Sequence, residues 1–81
     1  DMRRRLGLNL KKLREDQGFS QESFADHCGL HRTYISGIEC GVRNPTVVIL
    51  DRIAKALKVP PGHLLDEPKA AAGSLERMSV Q

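Results

Sequence analysis

The stretch Ser20–Pro45, SQESFADHCGLHRTYISGIECGVRNP, decides how this chain is to be read. Ser20 is a helix cap, a side chain able to accept a bond from an orphan N–H of the turn that follows. Phe19 precedes the cap and Phe24 follows it at the spacing of a hydrophobic staple. The segment Gln21–Cys28 then reads as a short helix burying Phe24, Ala25 and Cys28, and Gly29 ends it as a residue at ease with positive φ. Only Gly29, Leu30 and His31 separate it from a second short helix, Arg32 to Cys40, in which Ile35 and Ile38 face inward. That leaves Arg32, Thr33, Ser36 and Gly37 on the outward side. Two short helices on a tight glycine-containing turn are the sequence image of a helix-turn-helix, here about residues 20–44.

The flanks support the same reading. Upstream, Arg3 to Gln17 carries Leu6, Leu10 and Leu13 at helical spacing, and Gly18 supplies a stop. Downstream, Val42 to Pro45 is a loop and Thr46 caps a helix to about Leu57, with Val47, Leu50, Ile53, Ala54 and Leu57 as its buried stripe. Pro60 and Pro61 open a fifth short helix ending near Leu65. From about residue 67 the composition changes, with small residues at Ala70 to Gly73, so 67–81 is expected to be a flexible or weakly helical tail to a domain spanning 1–66.

The bulk properties agree. Eighty-one residues make one small domain. Hydrophobic residues are 40 % and charged residues 28 %, with no Trp, one Tyr and two Phe, which favours a helical core of Leu, Ile, Val and Ala. The net charge of +3 suits a nucleic-acid partner without establishing one. No apolar run approaches the roughly 18 residues of a membrane span. No signal-peptide pattern opens the chain. A reduced, cytoplasmic, nucleoid-associated protein is expected, because two Cys are not a disulfide framework.

No catalytic set is present: no phosphate-cradling glycine loop, nucleophile elbow or metalloprotease signature, so the chain is not read as an enzyme and no cofactor or small-molecule substrate is implied. His27, Cys28, His31 and Cys40 offer four zinc-type ligands. Gly29 breaks the helix between the two His, and Cys28 stands at a core position, so no metal site is assigned. Cys40 is expected to be exposed at a helix end.

Ser20–Pro45 resembles the phage-repressor and Cro type of helix-turn-helix, the XRE family. The resemblance rests on the cap Ser20, Gln21, the core pair Phe24 and Ala25, the turn Gly29, the short helix Arg32–Ile38, Glu39 with Gly41, and Asn44 with Pro45. GLHRTYIS further resembles restriction–modification controller proteins. The likeness covers about Leu6 to Leu65. It implies an all-α, compact five-helix, lambda-repressor-like domain that binds double-stranded DNA in a sequence-specific way as a transcriptional regulator, as a homodimer on a palindromic operator. Domains of this fold also serve as antitoxin-like or partner-docking modules, the alternative reading.

A recognition helix enters the major groove with its N-terminal residues nearest the base edges. Arg32, Thr33 and Ser36 are therefore the expected base readers, Arg32 through guanine and Thr33 through its hydroxyl or methyl. Gly37 faces the groove by the family pattern but has nothing to read with. Gln21, at a helix start where free N–H groups favour an anion, is expected on a phosphate, as in the family. His31, Tyr34, Arg43 and Asn44 flank the reading helix and are expected to track the backbone. The resemblance further implies a partly buried ion pair between Arg14 and Glu39, and a dimer interface at Val59, Pro60, His63 and Leu64.

Overall fold

The computed structural model describes residues 1–67. Four α-helices and one 3-10 turn follow in order: α1 (Met2–Asp16), α2 (Gln21–Cys28), α3 (Arg32–Glu39), α4 (Val47–Leu57) and the turn Pro61–Leu64. The expected fifth helix is thus a single 3-10 turn. Its N–H groups reach back three residues, His63 to the Pro60 carbonyl and Leu65 to that of Gly62. Pro60 and Pro61 set the entry and Gly62 is a poor helix former, so too few residues remain to propagate an α-helix. The tail expected at 67–81 lies, beyond Glu67, outside the described residues.

The capping signals act as read. Ser20 Oγ accepts from Ser23 N–H at 3.0 Å, and Ser23 Oγ accepts from Ser20 N–H at 2.9 Å, a reciprocal box. Thr46 Oγ1 accepts from Ile49 N–H at 3.2 Å. Phe19 meets Phe24 edge-on, centroids 5.3 Å apart. Gly29 takes φ 73° and closes α2, its N–H and that of Leu30 returning to Asp26 and Ala25 carbonyls.

The core is Leu6 and Leu10 of α1, Phe24, Ala25 and Cys28 of α2, Ile35 and Ile38 of α3, Ile53, Ala54 and Leu57 of α4, and Leu64 of the 3-10 turn. Three expected inward positions differ, of which Leu50 is half-buried against the core's margin. Val47 is 81 % exposed, because α4 begins before it reaches the other helices and its first turn projects outward. Leu13 packs only at the core's edge, while its neighbour Arg14 is buried.

Side-chain amides fasten the periphery to carbonyls that a helix or turn leaves unpaired. Asn9 Nδ2 donates to the Leu64 and Asp66 carbonyls at 2.9 and 2.7 Å, holding the 3-10 turn on α1. Gln17 Nε2 donates to the Leu57 carbonyl at 2.7 Å, closing the end of α4.

Gly7 sets the crossing of α1 over α3. A Cβ at this position would lie 2.6 Å from the carbonyl oxygens of both Ile38 and Glu39. The absent side chain lets the two backbones touch, and the obstacle is rigid helical backbone. Gly7→Ala should therefore destabilise the domain by about 1–3 kcal/mol, the usual cost of overpacking, despite alanine's better helix propensity. Urea unfolding of both chains measures this, and an unchanged midpoint would contradict the close approach.

Candidate nucleic-acid interface

The turn Gly29–His31 delivers α3 to the surface with its hydrophobic face down and its N-terminal end free. Ile35 and Ile38 are fully buried and fix the helix's rotation about its axis. His31, Arg32 and Thr33 at its start are exposed, and Ser36 is half-buried one turn on. Among the described residues Arg32 has no carboxylate partner. The three expected readers thus lie along one accessible strip, with the cation at the end that leads.

Gln21 occupies the first position of α2, beside this strip. Its Nε2 donates to Glu39 Oε1 at 3.0 Å. An amide nitrogen carries two hydrogens, so the contact orients Gln21 and leaves one donor for an incoming anion. Glu39 also takes both ends of a fork from Arg14: Nε to Oε2 at 2.7 Å and Nη2 to Oε1 at 3.1 Å. Arg14 Nη1 donates to the Phe19 carbonyl at 2.7 Å. The structure therefore brings Arg14 and Glu39 together, with their side chains 7 % and 4 % exposed. The hydrogen bonds that Arg14 donates to Glu39 raise the Arg14 pKa above the ordinary value against the opposing pull of burial. One bidentate pair joins α1, the entry to α2 and the end of α3.

On the other side of α3 run Arg43 and Asn44, both exposed. The Arg43 guanidinium carbon stands 5.5 Å from the Tyr34 ring centroid. The loop is pinned by the Val42 and Arg43 N–H groups, which donate to the Gly37 carbonyl at 2.9 and 3.0 Å. The Asn44–Pro45 turn borders a small cleft of about 110 Å³ shared with Met2, Arg3 and Leu6, so the basic start of α1 adjoins the loop.

A family profile described as helix-turn-helix, HTH_3, matches residues 10–64. The chain belongs to the HTH_3 (XRE) helix-turn-helix family. It is a DNA-binding transcription regulator of that family, which is not enzymatic. This HTH_3 member is 46 % identical over 61 residues to control protein C.BamHI from Bacillus amyloliquefaciens, covering 74 % of this chain and 75 % of the relative. Its fold is similar to that of the restriction-modification controller protein C.AhdI from Aeromonas hydrophila, with TM-score 0.74, 39 % identity, and coverage of 76 % and 94 % of the two chains. It also resembles SinR, a master regulator for biofilm formation whose structure was solved in complex with DNA, with TM-score 0.72, 31 % identity, and coverage of 75 % and 98 %. No helix among the described residues is long and apolar enough to cross a membrane.

The four zinc-type residues do not assemble. No group of three or more metal-binding side chains occurs among the described residues. His27 stacks on Phe19 instead, ring centroids 5.2 Å apart, and Cys28 is sealed in the core while Cys40 is exposed. Of the expected interface residues, Val59 is half-buried and Pro60 and His63 are exposed, but Leu64 is fully buried within the protomer. It supports that surface from beneath and cannot itself touch a partner. Periodicity alone did not separate Leu64 from its neighbours, because a single turn of Pro61, Gly62, His63 and Leu64 is too short to show a repeat, and of these only Leu64 is buried. Glu39 as the holder of Gln21 and Gly7 as the crossing point were not read from the sequence. Their signals are long-range contacts that local spacing does not carry.

Three expectations follow from this geometry. Glu39→Ala should cost about 3–5 kcal/mol, because it strands a buried guanidinium without its counter-charge. Chemical denaturation would show it, and a loss below 1 kcal/mol would mean that water replaces the carboxylate freely. Burial raises the Cys28 thiol to about 11, a nearby Arg52 opposing only weakly. A disulfide reagent at pH 8 should therefore label Cys40 quickly and Cys28 only on unfolding. The folded pKa is raised, so stability held below the unfolded value near 9 should decline as pH climbs toward 11. Equal labelling rates for the two thiols would contradict the sealed position of Cys28.

Proposed function

We propose that this chain binds a palindromic DNA operator as a homodimer, laying α3 of each protomer in the major groove of one half-site. The observation that carries the reading is the exposed N-terminal strip of α3 on a rigid base, where Arg32 has no carboxylate partner among the described residues. Arg32 and Thr33 read base edges, Arg32 by a bidentate bond to guanine, and Ser36 assists one turn further along. Gln21, its amide held by Glu39, takes a phosphate, and His31, Tyr34 and Asn44 follow the backbone on either side. Such contacts set register, while the base contacts set sequence.

A single short helix reads too few base pairs for useful selectivity, and a twofold pair reading half-sites about one helical turn apart supplies the rest. Half-buried Val59 with exposed Pro60 and His63, around the 3-10 turn at the end of α4, offers a partly apolar surface for that pairing. The likeness to C.BamHI and C.AhdI supports a controller-type role beside a restriction–modification system.

Selection of bound sites from a random duplex pool tests the reading, and a palindromic motif is the expected product. Arg32→Ala should flatten the preference at one position per half-site while leaving weak, salt-sensitive binding. Gln21→Ala should weaken all sequences about equally. Enrichment of no motif would refute operator binding, and an unchanged profile for Arg32→Ala would remove that residue as a reader.

A further inference from the structure

Gly37 lies on the outward side of the recognition helix, where a base pair would meet no side chain. The structure fills that place from outside the helix. A Cβ on Gly37 would overlap Cγ of Arg43 and touch its Cβ at 3.4 Å, so the arginine stem already occupies the notch. Its backbone is fixed there as well, since the Val42 and Arg43 N–H groups both end on the Gly37 carbonyl at 2.9 and 3.0 Å. From this seat the side chain runs back along α3 to Tyr34, one turn nearer the N-terminus, where the guanidinium carbon stands 5.5 Å from the ring centroid. The cation is thereby carried toward Arg32 and Thr33. Among the described residues no carboxylate pairs with it.

We propose that Gly37 and Arg43 act as one specificity-determining unit, in which Gly37 provides the seat, Tyr34 steadies the guanidinium, and Arg43 reads the base edge that Gly37 leaves bare. The assignment rests on the DNA-binding mode proposed above and departs from a phosphate role for Arg43. A phosphate can accept the same guanidinium fork, but a contact that only sets register does not require the stem to be seated at one level of the reading helix. This side chain is held at its backbone, its stem and its tip, at the expense of a glycine inside a helix. A guanidinium held against a ring keeps its N–H edge free, and that planar fork matches the paired acceptors of guanine. The reading helix therefore borrows a side chain from the loop that follows it.

The test compares base-preference profiles, salt dependence and thermal unfolding for the parent chain, Arg43→Ala, Arg43→Lys and Gly37→Ala. Arg43→Ala should flatten one position per half-site, distinct from that of Arg32, by about tenfold or more. Arg43→Lys keeps the charge without the fork and should flatten the same position while retaining the salt slope. Gly37→Ala should flatten that same position by turning the Arg43 stem out of its seat, and thermal unfolding with the Ile35 and Ile38 core intact should stay cooperative, so that a lost seat is told apart from a lost fold. A uniform loss for Arg43→Ala, with a salt slope smaller by about one, would make Arg43 a phosphate ligand and overturn the proposal. An unchanged profile for Gly37→Ala would overturn the role of the seat. A parent chain that enriches no site would overturn this assignment together with the operator reading beneath it.

Discussion

The bidentate pair between Arg14 and Glu39 is the constraint on which the rest of the structure depends. Both groups are removed from water, and a desolvated ion pair adds little net stability beyond what an apolar pair of similar size would give. Its contribution is geometric. Arg14 spends its three nitrogens on two Glu39 oxygens and the Phe19 carbonyl, and Glu39 accepts one further bond from Gln21. The start of α2 and the end of α3 are thereby referenced to one point on α1. A slip of any of the three elements would leave a buried charge without its partner, so the alternatives are disfavoured more than the native arrangement is favoured.

The frame around that pair explains why the reading surface can be small. Apolar residues from all four helices and the 3-10 turn close beneath α3, and the caps at Ser20, Gly29 and Thr46 stop the helices where the core ends. None of these residues would meet DNA. They hold the reading helix in a single orientation, so that a few exposed side chains need not be ordered anew on binding.

Much of this was legible in the sequence because it is written in local chemistry. A Ser cap, a glycine at positive φ and two isoleucines three apart define α2, the turn and α3 without reference to the rest of the chain. The exposure of Arg32 and Thr33 followed from their place at the start of α3, and the position of Gln21 from the cap before it. The Arg14–Glu39 pair was legible only through family resemblance, since 25 residues separate its members. What local pattern missed was set by distance or by geometry finer than periodicity. Val47 carries the right residue type at the right spacing, but no other helix extends to cover it. Leu64 carries an interface-like side chain that its 3-10 turn directs inward. Gly37 read as a gap because the atoms that fill it belong to Arg43, on a different segment.

The close passage of α1 over α3 at Gly7 carries a mechanical implication. It grips the recognition helix at its C-terminal carbonyls, the end away from Arg32. Eight residues of α-helix span about 12 Å, so a tilt of roughly 5° about that grip would move the leading end by about 1 Å. A displacement of that size is a large part of a hydrogen bond's tolerance. The hinge side of this lever is a backbone contact buried beneath the DNA-facing surface. Changes there act on aim rather than on affinity for phosphate, and a protein of this shape can drift in sequence preference while every residue that touches DNA stays the same.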